Sequence, residues 1–281
     1  MKSALFTGAA VTLGLLLASI GPAQASTVDP GSTGSTASHQ PTTQARQHGI
    51  EKAGDAYMGW AQNTTTKAAP AVMAPDAVVE GIDVSGYQGN VDWTAQWNAG
   101  KRFAYTKASE GNYYTNPYFA QQYNGSYNVG MIRGAYHFAT PNDSSGANQA
   151  TYFLAHGGGW SKDGKTLPGA LDIEYNPYGA TCYGLSQSAM VSWIRDFLNT
   201  YKAKTGRDPV IYTNLDWWTQ CTGNSSAFNS TNPLWVARYA SAPGTLPGGW
   251  PFYTIWQWTS SPLDQNHFNG DYSRLQALAN G

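Results

Sequence analysis

Short runs of β-branched and aromatic residues recur along the chain from about residue 78 onward, bounded by Gly, Pro, Asn or Asp. Residues 78–84, 103–108, 131–138, 170–174, 210–213, 234–238 and 254–258 read as strands on this pattern. Between several of them the period changes to that of a helix. Residues 117–127 and 146–155 are two such stretches, and 186–205 is the clearest. There Met190, Trp193, Ile194, Phe197, Leu198 and Tyr201 form one apolar stripe, with Ser186 as N-cap and Gly206 as stop. Strands alternating with helices predict a parallel α/β arrangement. The strands from residue 234 on are separated by Gly/Pro turns instead. The predicted fold is therefore an irregular (β/α) barrel with about five β/α units and additional helix-free strands.

One run breaks the apolar pattern. Ala170-Leu171-Asp172-Ile173-Glu174-Tyr175 places two carboxylates two residues apart, on one face of a strand, while Leu171 and Ile173 face the other way. Two acids in one low-dielectric space repel, and each loses hydration. Such a pair fits acid chemistry, one carboxyl staying protonated beside an ionised neighbour. An ion pair with Lys107 or Arg238, each at the end of a predicted strand, is the plainer alternative. Asp83 is the one acid near the end of the first strand, and it too has a plain reading, as a loop cap. Asp264 reads equally as a site acid or as a turn residue after Pro262, whereas Asp271 reads as a capping or solvated residue. Catalytic groups of barrels gather at C-terminal strand ends. Asp83, Asp172 and Glu174 all fall there.

Composition narrows the substrate. Charged residues are only 12% of the chain and the net charge is −1, with no basic run to attract nucleic acid or a membrane surface. Aromatics crowd the same strand ends: Tyr87, Tyr136, Phe138, Tyr175, Tyr212, Trp235, Tyr239, Trp256 and Trp258. About half of such rings serve the core, and the rest suit a groove for sugar faces. The five histidines have no ligand spacing, so no metal or other cofactor is expected, and no Gly-x-Ser-x-Gly elbow occurs. The chain is expected to act as a monomer.

The N-terminus carries Lys2, a largely apolar stretch from Ala9 to Ile20, and Ala23-Gln24-Ala25 as a small-x-small cleavage site. Residues 1–25 thus read as a secretory signal peptide. Residues 26–77, rich in Ser, Thr, Gln, Ala and Gly, read as a flexible leader or removable pro-segment. Within it, residues 48–60 have the makings of one short helix, and a processing or inhibitory role stays open. Residues 78–281 then form the catalytic barrel. In an exported protein the lone pair Cys182 and Cys221 most simply forms one disulfide.

Several blocks occur in a fixed order: Gly81-Ile82-Asp83-Val84-Ser85-Gly86-Tyr87-Gln88, Lys107-Ala108-Ser109-Glu110-Gly111, Gly134-Ala135-Tyr136-His137-Phe138, Leu171-Asp172-Ile173-Glu174, Trp256-Gln257-Trp258 and Asp264-Gln265-Asn266-His267-Phe268. Together they resemble glycoside hydrolase family 25, the Chalaropsis-type lysozymes (N-acetylmuramidases). The resemblance implies hydrolysis of the β-1,4 bond between N-acetylmuramic acid and N-acetylglucosamine in peptidoglycan. It implies Glu174 as general acid, Asp172 as its neighbour, and Asp83 and Asp264 as further acids of the cleft. Tyr136 and Gln257 lie in matching blocks and are expected to contact substrate or order the acids. Two acids on one strand are too close to flank a sugar from opposite faces, which favours attack by the substrate's own N-acetyl oxygen over a water. A chitinase-like hydrolase is disfavoured, since positions 167 and 170 of the longer acidic pattern are Leu and Ala. A non-catalytic wall-binding module does not need clustered acids.

Overall fold

The computed structural model describes residues 39–62 and 78–281, together with Met1. The chain divides into two compact units, Met1–Thr36 and Ala37–Gly281. The expected signal peptide and residues 63–77 lie outside the described residues; everything below concerns the second unit.

The strands are β1 (Val78–Val84), β2 (Phe103–Glu110), β3 (Tyr114–Thr115), β4 (Ile132–Phe138), β5 (Ala170–Asp172), β6 (Val210–Thr213), β7 (Leu234–Ala237), β8 (Ile255–Thr259) and β9 (Asp264–Asn269). They run in the order β1-β9-β8-β7-β6-β5-β4-β2, and pairing of β1 with β2 closes the ring, β3 being appended to β2. Within the ring neighbours are parallel except β9, which runs antiparallel between β8 and β1, and the appended β3 is antiparallel to β2. The result is an eight-stranded mixed barrel, in line with the predicted fold. The helices are α1 (Thr43–Gln47), α2 (Trp93–Asn98), α3 (Phe119–Asn128), α4 (Gly146–Ala155), α5 (Gln187–Thr205), α6 (Leu215–Thr222) and α7 (Tyr272–Asn280).

Alternation along each strand divides the core in two. Tyr105, Tyr136, Ala170, Tyr212, Trp235 and Ile255 belong to the cluster that fills the barrel. Leu171, Ile173, Ile211 and Val236 point outward and pack with Met190, Ile194 and Phe197 of α5. The α5 stripe is buried as predicted; Ser186 Oγ accepts from Ala189 N, and Gly206 ends the helix at φ 76°. Every apolar residue of β5 therefore faces a helix or the barrel interior, and Asp172 shares the interior parity of Ala170.

Two expectations are corrected. Residues 48–60 do not form a helix: Gly49, Gly54 and Gly59 all have positive φ (80°, 91° and 77°), which an α-helix forbids, and the helical turn is α1, further upstream. Nor are residues 39–62 a loose leader. Ala45, Ile50, Ala56 and Met58 are fully buried and Trp60 nearly so.

Candidate active site

The parallel strands deliver their C-terminal ends to one mouth of the barrel, and β9, being antiparallel, delivers its first residue there. Asp172 ends β5, and Glu174 follows two residues on, the chain staying extended because Ile173 N–H still bonds Tyr212 O at 3.0 Å. Asp83, near the end of β1, stands opposite Asp264, the first residue of β9. The topology thus brings all four predicted acids together, and all four are buried.

Asp83 is held hardest. Its Oδ2 accepts from Asn266 Nδ2 at 2.7 Å and from Gln257 Nε2 at 3.0 Å. Each amide is itself oriented: Trp235 Nε1 donates to Asn266 Oδ1 (2.9 Å), and the Tyr212 hydroxyl donates to Gln257 Oε1 (2.7 Å). A chain of oriented dipoles therefore fixes this carboxyl from beneath. Among the described residues, no well-formed hydrogen bond reaches either oxygen of Asp172, Oε2 of Glu174 or the Tyr136 hydroxyl. Buried polar atoms left unpaired in this way are costly in a fold and point to a ligand-facing role.

Burial raises the affinity of all four acids for protons. Glu174 is pushed up to about 8, burial outweighing the Gly59 N–H donated to it. Asp172 is driven well above the usual carboxylate range by burial and then by the Glu174 charge, with Lys107 opposing. Burial carries Asp83 to about 7 against the pull of Asn266 and Gln257. Asp264 is likewise raised well above its ordinary value, by burial and by the Asp83 charge. Lys107 is not the ion-pair partner of the Asp172 and Glu174 pair. Its ammonium sits 2.5 Å from Glu110 Oε2. Among the described residues, no group of three or more His, Cys, Asp or Glu is placed to hold a metal ion.

A barrel with catalytic-type carboxyls at its mouth is shared by many glycosidases, and comparison decides among them. The sequence profile described as Glycosyl hydrolases family 25 matches residues 82–267. The chain belongs to glycosyl hydrolase family 25. It is 52% identical over 210 residues to an N,O-diacetylmuramidase of Chalaropsis sp, covering 72% of this chain and 100% of that one. Lysozyme M1 of Streptomyces globisporus is 51% identical over 210 residues, covering 72% and 71%. The solved muramidase of Acremonium alcalophilum superposes with a TM-score of 0.71 at 62% identity, over 72% of this chain and 99% of that one.

The aromatic residues expected around the site of this family 25 hydrolase take different stations. Tyr136, Tyr212 and Trp235 are all fully buried, the Trp235 ring lying between those of Tyr105 and Tyr212. Trp235 Nε1 donates to Asn266 Oδ1, and through that amide Trp235 bears on Asp83. The Tyr175 hydroxyl donates to Asp216 Oδ2 at 2.7 Å. Tyr87, on the turn after β1, is 66% exposed. Tyr239, noted in sequence only as an aromatic, places its hydroxyl 3.3 Å from Gln257 Oε1 and 3.4 Å from Asp264 Oδ1. The Cys182–Cys221 disulfide is present, tying the loop after Glu174 to α6.

Residues 39–62, upstream of the matched family region, also reach the site of this hydrolase. Gly59 N–H donates to Glu174 Oε1 at 2.7 Å, and Gly59 O lies 3.4 Å from the Tyr239 hydroxyl. Met58 is buried in the cluster containing Tyr136 and Tyr212. Nothing local in the sequence signals these contacts, which join Gly59 to positions 115 and 180 residues further on.

Proposed function

We propose that this family 25 hydrolase is a secreted muramidase that cleaves the β-1,4 bond between N-acetylmuramic acid and N-acetylglucosamine in peptidoglycan, with Glu174 as proton donor. The carrying observation is the placement of Glu174: a carboxyl at the barrel mouth, two residues from Asp172 on the same strand face, whose Oε2 meets no well-formed hydrogen bond among the described residues. A carboxyl held beside a second acid in a low-dielectric site binds its proton more tightly than in water and is poised to protonate a leaving glycosidic oxygen. Asp172 is its electrostatic neighbour on the same face, suited to orient the N-acetyl group and to stabilise positive charge developing at the anomeric carbon. Asp83 and Asp264 line the other wall of the cleft, and Tyr136, Gln257, Tyr87, Tyr175 and Tyr212 supply hydrogen bonds and ring surface to the glycan. The reaction needs no cofactor in this reading, and the enzyme works as an extracellular monomer on cell-wall polymer. The Cys182–Cys221 disulfide supports export.

The test uses protein cut at a protease site inserted between Gln62 and Val78. It is expected to clear bacterial cell walls and to act little on chitin, while Glu174→Gln lowers wall hydrolysis by about 10³-fold. A Glu174→Gln protein as lytic as its parent removes Glu174 from the mechanism. NMR of the first-formed product anomer tests the nucleophile. Retention is expected for attack by the N-acetyl oxygen, and net inversion overturns it.

A further inference from the structure

We propose that residues 39–62 are an autoinhibitory plug, in which the strap Tyr57-Met58-Gly59-Trp60 occupies the place of a sugar and keeps the intact chain latent. The inference rests on the muramidase reading, because it assigns the covered groups to catalysis.

The strap lies on the catalytic groups, not merely beside them. The Gly59 N–H takes up the Glu174 oxygen Oε1, at 2.7 Å. That contact occupies Oε1, and the whole Glu174 side chain, including the Oε2 left to carry a proton, is shut off from outside by the closed fold, so a glycosidic oxygen cannot approach it. At Gly59 the fit is so close that an added Cβ would fall 2.3 Å from the Tyr239 hydroxyl, 2.6 Å from Gln257 Oε1 and 2.9 Å from the Tyr212 hydroxyl. Met58 fills the space among the mouth aromatics, and Tyr57 sets its ring 5.6 Å from that of Tyr87. The chemistry of the strap imitates the substrate class. A secondary amide stands at the acids, where an N-acetylhexosamine would bring its own, and an aromatic face covers the ring surface.

Anchors on three sides hold the segment over the mouth. Lys107 Nζ of β2 donates to Gly54 O (3.0 Å) and Ala56 O (2.5 Å), and Glu110 Oε1 accepts from Gly54 N (3.2 Å). The loop after β5 contributes Tyr175 O, which accepts from Trp60 Nε1 at 3.0 Å, and Pro177 O, which accepts from Thr42 N at 2.8 Å. The loop after β4 contributes Asp143, 3.0 Å from His39 Nε2. A fully buried lysine and glutamate spend hydrogen bonds on the backbone of residues 54–56, so this is a built interface and not a chance drape.

The device depends on tethering. Residues 39–62 are covalently joined to the barrel, so their local concentration at the mouth stands at about the millimolar level typical of a short linker. Cutting the chain between Gln62 and Val78 makes the contact bimolecular, and the plug leaves on dilution. Release by substitution follows from Gly59, where φ is +77° and a β-branched side chain meets three catalytic-site atoms.

The experiment compares three forms in solubilised cell-wall hydrolysis: the intact chain, the chain with Gly59→Val, and the chain cut at a protease site inserted between Gln62 and Val78 and diluted. Each is assayed beside its Glu174→Gln counterpart. The expected result is at least about tenfold higher turnover in the cut form, in Gly59→Val, or in both, than in the intact chain. That excess should be abolished by Glu174→Gln. An intact chain as active as both released forms, with Glu174→Gln still inactive, overturns the plug and leaves the muramidase reading standing. No hydrolysis by any form overturns the muramidase reading, and the plug falls with it.

Discussion

At the scale of single residues, the acids were legible because alternation in a strand is a hard geometric rule. Asp172 and Glu174 at positions i and i+2 had to share a face, and the outward Leu171 and Ile173 meet α5 as that rule requires. Their supporting residues were not legible. Asn266 reads in sequence as one polar residue among several, yet it bridges Trp235 and Asp83 through two hydrogen bonds. Replacing it by leucine removes the 2.7 Å donor to Asp83 and strands the Trp235 N–H. A hydrogen bond to a charged group contributes about 1.5–3 kcal/mol, so kcat should fall by about 10- to 100-fold. The readout that separates positioning from general damage is the pH profile. Asp83 loses a group that favours its ionised form, so the limb it controls moves to higher pH, above about 7. A slower enzyme with an unmoved profile would rule out this route.

At the scale of elements, seven strands and three helices follow from local pattern, and β9 and the segment 39–62 escape it for different reasons. β9 went unread because Asp264, Gln265 and Asn266 are polar and buried at the barrel mouth. A strand lined by site residues lacks the apolar alternation that advertises strands elsewhere. The segment 39–62 reads in sequence as leader or pro-segment, and its packing is hidden for the opposite reason: its few apolar residues, Ile50, Met58 and Trp60, gain their burial from partners far along the chain. The disulfide was readable from cysteine count alone, and its position gives it a local task. The loop it ties begins at Glu174, and Tyr175 in that loop bonds Asp216 of α6. Cys182→Ser with Cys221→Ser releases a closed loop spanning a separation of 39 residues. We expect a loss of about 3 kcal/mol and a Tm lower by about 6–12 °C in calorimetry, with kcat reduced because the acid's loop is no longer pinned. Unchanged Tm would mean that α6 packing alone holds the loop.

At the scale of the whole molecule, the covered cleft ties stability to pH. Four carboxyls, Asp83, Asp172, Glu174 and Asp264, lie in one buried space and all bind protons more tightly there than in water. The groups facing them include Tyr57 on the strap, Tyr136, Tyr212 and Tyr239 on the barrel, Tyr175 and Tyr183 after β5, and Lys107, whose charge alone among these favours an ionised Asp172. The phenols hold their protons through the neutral range, so the acids dominate the titration there. A raised acid means that the closed state holds more protons than the opened or unfolded one. Its stability is then greatest below the ordinary carboxylate value of about 4 and declines as pH rises toward about 8. Asp163 and Asp271 act oppositely, being held below their ordinary values by hydrogen bonds, so their support is lost in stronger acid. Closure should therefore be firmest near pH 4–5 and loosest above pH 8. Hydrogen exchange at the Gly59 amide, corrected for the intrinsic pH dependence of exchange, should show protection falling across that interval. Glu174→Gln, which cannot ionise, should flatten the fall. Protection that grows with pH would show that ionised carboxylates, not neutral ones, hold the strap in place.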